Sequence, residues 1–434
     1  MITLTRRFLA PLAALLCLLA TAGSAGAGPG RAQISAAAPL GGVNVGSGSS
    51  AAQADGDIAQ ARALHARLVR TEAVWSLIEP NGPGQIDPGG LVFLDRLVSD
   101  ASAAHIGVIV VAYGTPCWAS SAPASLIGKC RAGGQSKANS WPPSEPARFA
   151  AFVAYLTQRY GSSLTAIEVW NEPDQANQDY FAGPDKPRRY AAILRSAYPA
   201  IKQVDPAVDV LGGSLVGSGG SFLRALYAAG IKGYYDGLAV HFYTLVLGSL
   251  RSIHETQLAN GDHTPLWLDE FGWSSCYPHR RVEQEQACVT PKVQAANLAS
   301  TFRLLARTPF VAAEVPYELK SSVSEDFGVL AQSGARKPAF GALQRALTSP
   351  LAGGAAVTLH LRARGGRVLA GGSGPVGDYM RLEVFQGQVL RYKALFTLNR
   401  FDRYSILLPR ALGTRGLRAR VQQYWSGAGA SASL

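Results

Sequence analysis

From Gly41 to about Ser349 short apolar runs alternate with segments whose apolar residues recur at helical spacing. Val108-Ile109-Val110-Val111 is apolar at every position, as suits a strand of a parallel sheet covered on both faces. The pattern predicts strands at Gly42 to Val45, Leu68 to Glu72, Gly107 to Tyr113, Ala166 to Trp170, Asp209 to Gly213, Gly237 to Phe242, Pro265 to Glu270 and Ala312 to Leu319. The clearest helix between them aligns Phe149, Phe152, Val153, Leu156 and Tyr160, starts near Ser144 and stops at Gly161. Eight strand–helix units in roughly 300 residues predict an α/β fold, a (β/α)8 TIM barrel over residues 41–349. A doubly wound open sheet is the competing arrangement, but no GxGxxG follows the first strand.

Past Pro350 the period changes from helical to alternating, as in Val357-Thr358-Leu359-His360-Leu361, Arg381-Leu382-Glu383-Val384 and Val389-Leu390-Arg391-Tyr392. With glycine turns such as Gly365-Gly366, residues 350–425 read as a small C-terminal antiparallel β-domain, sandwich-like and accessory. Residues 28–40 read as a linker or an added edge strand, and the Gly, Ala and Ser of residues 426–434 as a fraying tail.

The first 27 residues carry Arg6 and Arg7, an apolar run from Phe8 to Ala20 and a small-residue end, Ala25-Gly26-Ala27. This is the anatomy of an export signal, and the run is too short for the roughly 18 to 20 residues a membrane span needs. The expected location is therefore exported, periplasmic or extracellular. Outside the signal stand Cys117, Cys130, Cys276 and Cys288. An even number in an exported chain points to disulfides. Of the possible connectivities the sequence-local one is expected, Cys117 with Cys130 and Cys276 with Cys288. Zinc is the alternative, but neither CxxC nor paired-histidine spacing accompanies them.

The formal net charge is +12. Such a balance suits nucleic acid, an anionic envelope or an acidic polysaccharide. The basic residues look dispersed, as Arg188-Arg189, Arg280-Arg281 and the singletons Arg362, Arg364, Arg418 and Arg420, so no nucleic-acid partner is expected.

Two strands end in a glutamate flanked by aromatics, Trp170-Asn171-Glu172-Pro173 and Trp267-Leu268-Asp269-Glu270-Phe271. A barrel gathers its chemistry at the carboxyl ends of its strands, so Glu172 and Glu270 are expected in one cleft. Two carboxylates roughly 5 Å apart are the equipment of retaining glycosidic cleavage, one as acid and one as nucleophile. Trp170-Asn171-Glu172-Pro173 resembles the acid/base motif of clan A glycoside hydrolases, with Glu270 at that clan's nucleophile position. Adding Arg70, His241-Phe242-Tyr243, Tyr317-Glu318-Leu319-Lys320 and Phe327-Gly328-Val329-Leu330, the stretch Gly41 to Ala346 is most similar to glycoside hydrolase family 39 and its relatives linked to bacterial exopolysaccharide.

The resemblance implies Glu172 as general acid then base, Glu270 as nucleophile, and Asn171 on the 2-hydroxyl of the sugar. Tyr243 and Arg70 would donate to Glu270, and His241 would line the same subsite. Where many clan members carry a tryptophan at the eighth strand end, this chain has Val315-Pro316-Tyr317. Tyr317, Trp118 or Trp273 would then supply the sugar platform, and Glu318 would enter a subsite. Glu79, Asp174, Asp236 and Asp269 read as structural, with Asp269 facing away from Glu270 because neighbouring strand residues face opposite sides. His65 and His105 read as packed or surface residues. No metal or organic cofactor is implied. The expected partner is a polysaccharide or oligosaccharide met by a monomer, with envelope association as a further expectation. The competing readings are a non-catalytic carbohydrate-binding scaffold and a cellulase- or mannanase-like enzyme of another clan A family.

Overall fold

The structure is a computed structural model that describes residues 39–134, 136–243, 246–277, 288–306, 308–348, 357–374, 379–397, 403–423 and 429–434. The predicted export signal, residues 28–38 and the Arg280-Arg281 loop lie outside these. Strands β1 (Leu40–Gly46), β2 (Leu68–Val74), β3 (Gly107–Tyr113), β4 (Leu164–Val169), β5 (Asp209–Leu215), β6 (Gly237–His241), β7 (Leu266–Glu270) and β8 (Val311–Glu314) pair in parallel, in chain order. Leu40 and Gly41 of β1 pair with Ala313 and Glu314 of β8, which closes the barrel.

All eight predicted strands are present. The eighth is the one most changed, ending at Glu314 rather than Leu319. Pro316 has no N–H to continue a ladder, and the chain beyond it turns across the barrel mouth, with Tyr317 N–H donating to Phe271 O (2.8 Å) and Leu319 N–H to Asn44 O (2.8 Å). The predicted helix runs Pro146–Tyr160, with proline in its first turn and Gly161 at its end in a left-handed φ of 47°. It buries Phe149, Phe152, Val153 and Leu156. Of the packed and surface alternatives for His65 and His105 the structure has the surface one: both are exposed and stand just after helices, also with left-handed φ (60° and 56°).

Inside the barrel, Leu68, Ile109, Ala166, Leu211, Ala239, Trp267 and Ala313 form an apolar layer, one from each of β2 to β8. Trp267 spans that layer because Gly237 has no side chain, since a Cβ there would lie 2.5 Å from the indole Nε1. The floor beneath the cleft is therefore filled by apolar side chains. Two residues further along β2, β4, β6 and β7 come Arg70, Glu168, His241 and Asp269, on the same inward face.

The C-terminal region forms β9 (His360–Arg364), β10 (Arg367–Ser373), β11 (Tyr379–Gln386), β12 (Val389–Thr397), β13 (Arg403–Leu407), β14 (Leu417–Gln423) and β15 (Gly429–Ser433). They make antiparallel sheets in the orders β13-β10-β9 and β12-β11-β14-β15. Val368 and Ala370 of the first sheet share a core with Met380, Leu382, Val384, Ala419 and Val421 of the second. Gly365 and Gly366, at φ 55° and 71°, form the turn between β9 and β10 that only left-handed residues allow. The described part of the tail, residues 429–434, does not fray as expected. Its small residues pair with β14, from Arg418 opposite Ser433 to Gln422 opposite Gly429.

The disulfides join Cys117 to Cys130 and Cys276 to Cys288, with Cα atoms 5.8 and 5.4 Å apart, in the sequence-local pairing. Among the described residues no helix is long and apolar enough to cross a membrane.

Candidate active site

The inward layer is built around Arg70. It sits within β2 and is 1% exposed. Its Nε and Nη2 donate to both oxygens of Glu168 (2.8 and 3.0 Å), Nη1 to Glu270 Oε1 (2.7 Å), and Nη2 also to Asn171 Oδ1 (2.9 Å). One buried fork thus fixes three groups. Burial works against Glu168's charge, yet Arg70 holds its carboxyl at about 2.

Asp269 does not turn away from the site as expected. Being two residues after Trp267 it shares that inward face, with Oδ2 3.6 Å from Arg70 Nε and Oδ1 3.5 Å from His241 Nε2. Burial, reinforced by the charge of Glu168, pushes its carboxyl far above the ordinary range. Glu270 enters the cleft as well, because the β6–β7 register shifts after Val240 and sets Glu270 beside His241 at the strand's last residue.

Glu172 reaches the mouth through a sharp turn after β4, where Trp170 and Glu172 adopt left-handed φ values of 75° and 44°. Non-glycine residues hold such angles only when their surroundings fix them. Here the Trp170 indole packs between Phe149 and Phe181 (5.5 and 5.4 Å between ring centres), and its N–H donates to Tyr180 O (2.9 Å). Trp170 therefore anchors the turn, and Glu172's carboxyl is raised by several causes. Burial comes first, Arg70 opposes it, Glu168 adds to it, and the carboxyl is pushed up to about 7. Its Oε1 lies 2.9 Å from His241 Nδ1, and Oε2 accepts from Gln175 Nε2 (2.6 Å).

Glu270 has more donors. Arg70 is joined by the Tyr243 hydroxyl at 2.6 Å on Oε2 and by Asn44 Nδ2 at 3.4 Å on Oε1. Burial raises this carboxyl above its ordinary range, helped by the charge of Glu172, while Arg70 and the Tyr243 hydroxyl draw it back. Donors that favour the ionised form concentrate on Glu270, so the negative charge of the pair is better placed there than on Glu172. Burial pushes the Tyr243 phenol well above its usual value, keeping it a donor, and lowers His241, keeping the imidazole neutral. One oxygen each of Glu172 and Glu270 lies within 4.8 Å of the other.

The other expected residues are spread around this centre. Tyr317 stacks edge-on with Tyr243 (6.2 Å) and donates to Glu325 (2.9 Å). Glu318, with an orphaned Oε1, has a carboxyl pushed up to about 8 by burial and by the charges of Glu325, Glu270 and Glu72. Trp118 packs edge-on against Trp75 (5.7 Å) and donates to Glu79 O (2.8 Å), while Trp273 packs edge-on against Phe271 (6.4 Å). Glu79 accepts from Trp75, Asp174 from the N–H groups of Val216 and Gly217, and Asp236 pairs with Lys202, which are structural roles. Asn44, Glu168 and Gln175 were not singled out from sequence. Asn44 and Glu168 had a signal, as the lone polar residue of β1 and the lone charged residue of β4, whereas Gln175 lies in a loop whose path only the fold reveals.

Residues 144–326 match the family model described as glycosyl hydrolase catalytic core. The chain carries a glycoside hydrolase core. Its fold resembles the GH39 enzyme from Xanthomonas axonopodis pv. citri at 15% identity and TM-score 0.52, covering 86% of this chain and 92% of that one. It likewise resembles a monomeric beta-xylosidase from Caulobacter crescentus CB15 at 14% identity and TM-score 0.52, covering 89% and 97%. A third similar fold is GH5_18 from Streptomyces cattleya in complex with GlcNAc, at 16% identity and TM-score 0.53, covering 75% and 85%. No curated protein sequence matches the chain. At such identities the solved structures speak for the fold of the hydrolase core.

Proposed function

We propose that this hydrolase is exported and retaining, cleaving glycosidic bonds in a polysaccharide such as bacterial exopolysaccharide matrix. Glu270 is the nucleophile and Glu172 the general acid, then base. The observation that carries this reading is the approach of their oxygens to within 4.8 Å. Retaining enzymes keep their carboxyl groups about 5 to 5.5 Å apart, whereas inverting ones leave about 6.5 to 9.5 Å for a water. The unequal environments supply the two roles, with a carboxyl near 7 poised to give a proton at neutral pH.

In the first half-reaction Glu270 attacks the anomeric carbon while Glu172 protonates the departing oxygen. Water, deprotonated by Glu172, then displaces Glu270. Arg70 occupies the carbonyl oxygen of Asn171, which leaves that amide's N–H groups for the sugar 2-hydroxyl. Tyr317 and Glu318 serve the sugar beside Glu270. Trp118 and Trp273, in the loops after β3 and β7, serve as stacking walls for sugars further along the polymer. The disulfides suit an oxidising compartment, consistent with periplasmic or extracellular work. NMR of the first-formed product tests the mechanism. Retained anomeric configuration is expected, and inverted product would falsify Glu270 as nucleophile.

A further inference from the structure

The basic charge of this chain is unevenly placed. Residues 351–434 contain twelve of the 41 Lys and Arg but only three of the 29 Asp and Glu, a net of +9 out of +12. Cations that look scattered along the sequence are gathered by strand register. Met380, Leu382, Val384, Ala419 and Val421 turn inward to the β-domain core, so alternation sends Arg381, Arg418 and Arg420 to the other face of the β12-β11-β14-β15 sheet. On β12, Lys393 stands opposite Glu383 of β11 and so joins that face, and Arg391, the extra residue of a bulge where the register shifts between Val384 and Phe385, is exposed beside it. Arg391, Lys393, Arg418 and Arg420 are exposed.

The face is organised as well as charged. Glu383, the one carboxylate of that face among the described residues, accepts from Arg420 Nε at 2.6 Å and lies 3.6 Å from Arg381 Nε, aligning two guanidinium groups at the cost of one charge. Arg418 and Arg420 both lie over the Phe385 ring, at 5.8 and 5.4 Å from its centre, which holds their planar forks along the sheet. We propose that this outer face of β12, β11 and β14 binds a carboxylate-bearing polysaccharide. Cations repeat about every 6.8 Å along a strand and about 4.8 Å between strands, a flat grid suited to a chain with acid groups on successive sugars. Guanidinium forks bind carboxylates through paired N–H donors. Single-stranded nucleic acid is disfavoured, because Phe385 is already covered by two arginines and offers no free platform to a base. A polymer held here would raise the local substrate concentration for the hydrolase core.

The proposal concerns binding, so it stands apart from the glycosidase reading and is tested without turnover. Titration calorimetry of the full-length protein with polygalacturonate should show binding that fades as salt rises and is absent with neutral dextran. Arg391→Ser, Lys393→Ser and Arg418→Ser combined should weaken it by about tenfold or more, with hydrolysis of a small aryl glycoside unchanged. Arg418→Glu alone should weaken it in the same direction and serves if the triple variant does not fold. Equal binding of dextran, undiminished binding by the variants, or tighter binding of duplex DNA or phosphatidylglycerol vesicles at equal charge would overturn the assignment. Loss of polygalacturonate binding in the variants of a protein that cleaves no glycoside would uphold this surface and sink only the glycosidase.

Discussion

His241 Nδ1 lies 2.9 Å from Glu172 Oε1. Because burial keeps the imidazole neutral, this contact does not ionise Glu172, whose carboxyl stays near 7. The acid is therefore lost just above neutrality. For substrates with poor leaving groups kcat/KM should fall about tenfold per pH unit above about 7, while activated aryl glycosides should hold their first step. A pH–rate profile flat to about pH 9 for the poor leaving group would exclude Glu172 as the acid. The same shift affects stability. Glu172's folded pKa is raised from 4.5 to about 7, so across that window the native state holds the extra proton and stability declines as pH rises. Glu172→Gln removes the dependence and should be more stable than the parent at about pH 8, by on the order of 2 kcal/mol, in thermal denaturation.

Two buried carboxyls in the layer below should respond very unequally to the same change. Asp269 is held neutral and Glu168 ionised against Arg70. Asp269→Asn swaps one neutral group for another of the same shape, and should cost less than about 1 kcal/mol at neutral pH. Glu168→Gln takes the bidentate partner from a buried guanidinium and should cost about 3 to 5 kcal/mol. Denaturant melts at pH 7 decide it, and equal losses would mean that the charge of the layer is shared differently.

The barrel could be read from the chain because several of its strands, Val108 to Val111 above all, are continuous apolar runs, which leave little choice between exposed and covered sheet. Glu172 and Glu270 were legible for a related reason, since a carboxylate ending such a run must emerge at the mouth. Asp269 was misread because alternation says which residues share a face but not which face is inside. Trp267, spanning the barrel over Gly237, fixes that choice. Asn44 reaches Glu270 across 226 positions of sequence, a closure made only when β1 meets β8. The basic face of the β-domain stayed hidden because Arg418 and Lys393 become neighbours through β11, by a register no local pattern specifies.

Each disulfide closes a short loop, of sequence separation 13 for Cys117–Cys130 and 12 for Cys276–Cys288. In the chain-entropy account a loop of this size stabilises by about 2 to 3 kcal/mol. Peptide mapping without reductant should recover both pairs from protein made in an oxidising compartment, and serine replacement of either pair should lower Tm. Crossed pairs, or four free thiols, would contradict the assignment.

The sharpest division of labour lies between the two glutamates themselves. Glu270→Gln keeps a side chain of the same shape for Arg70, Tyr243 and Asn44 to hold, but the amide is a poor nucleophile. Turnover should fall by about a thousandfold or more while oligosaccharide binding persists, as expected of an interaction used in the transition state. Glu172→Ala acts differently. With an activated aryl glycoside the first step needs little acid, so the glycosyl-enzyme should form and then accumulate, because the second step lacks its base. Mass spectrometry should find that adduct on Glu270. Azide, a nucleophile that needs no deprotonation, should restore turnover and yield a glycosyl azide of retained configuration. Rescue of Glu270→Gln in place of Glu172→Ala, or an azide product on the opposite face, would reverse the two roles.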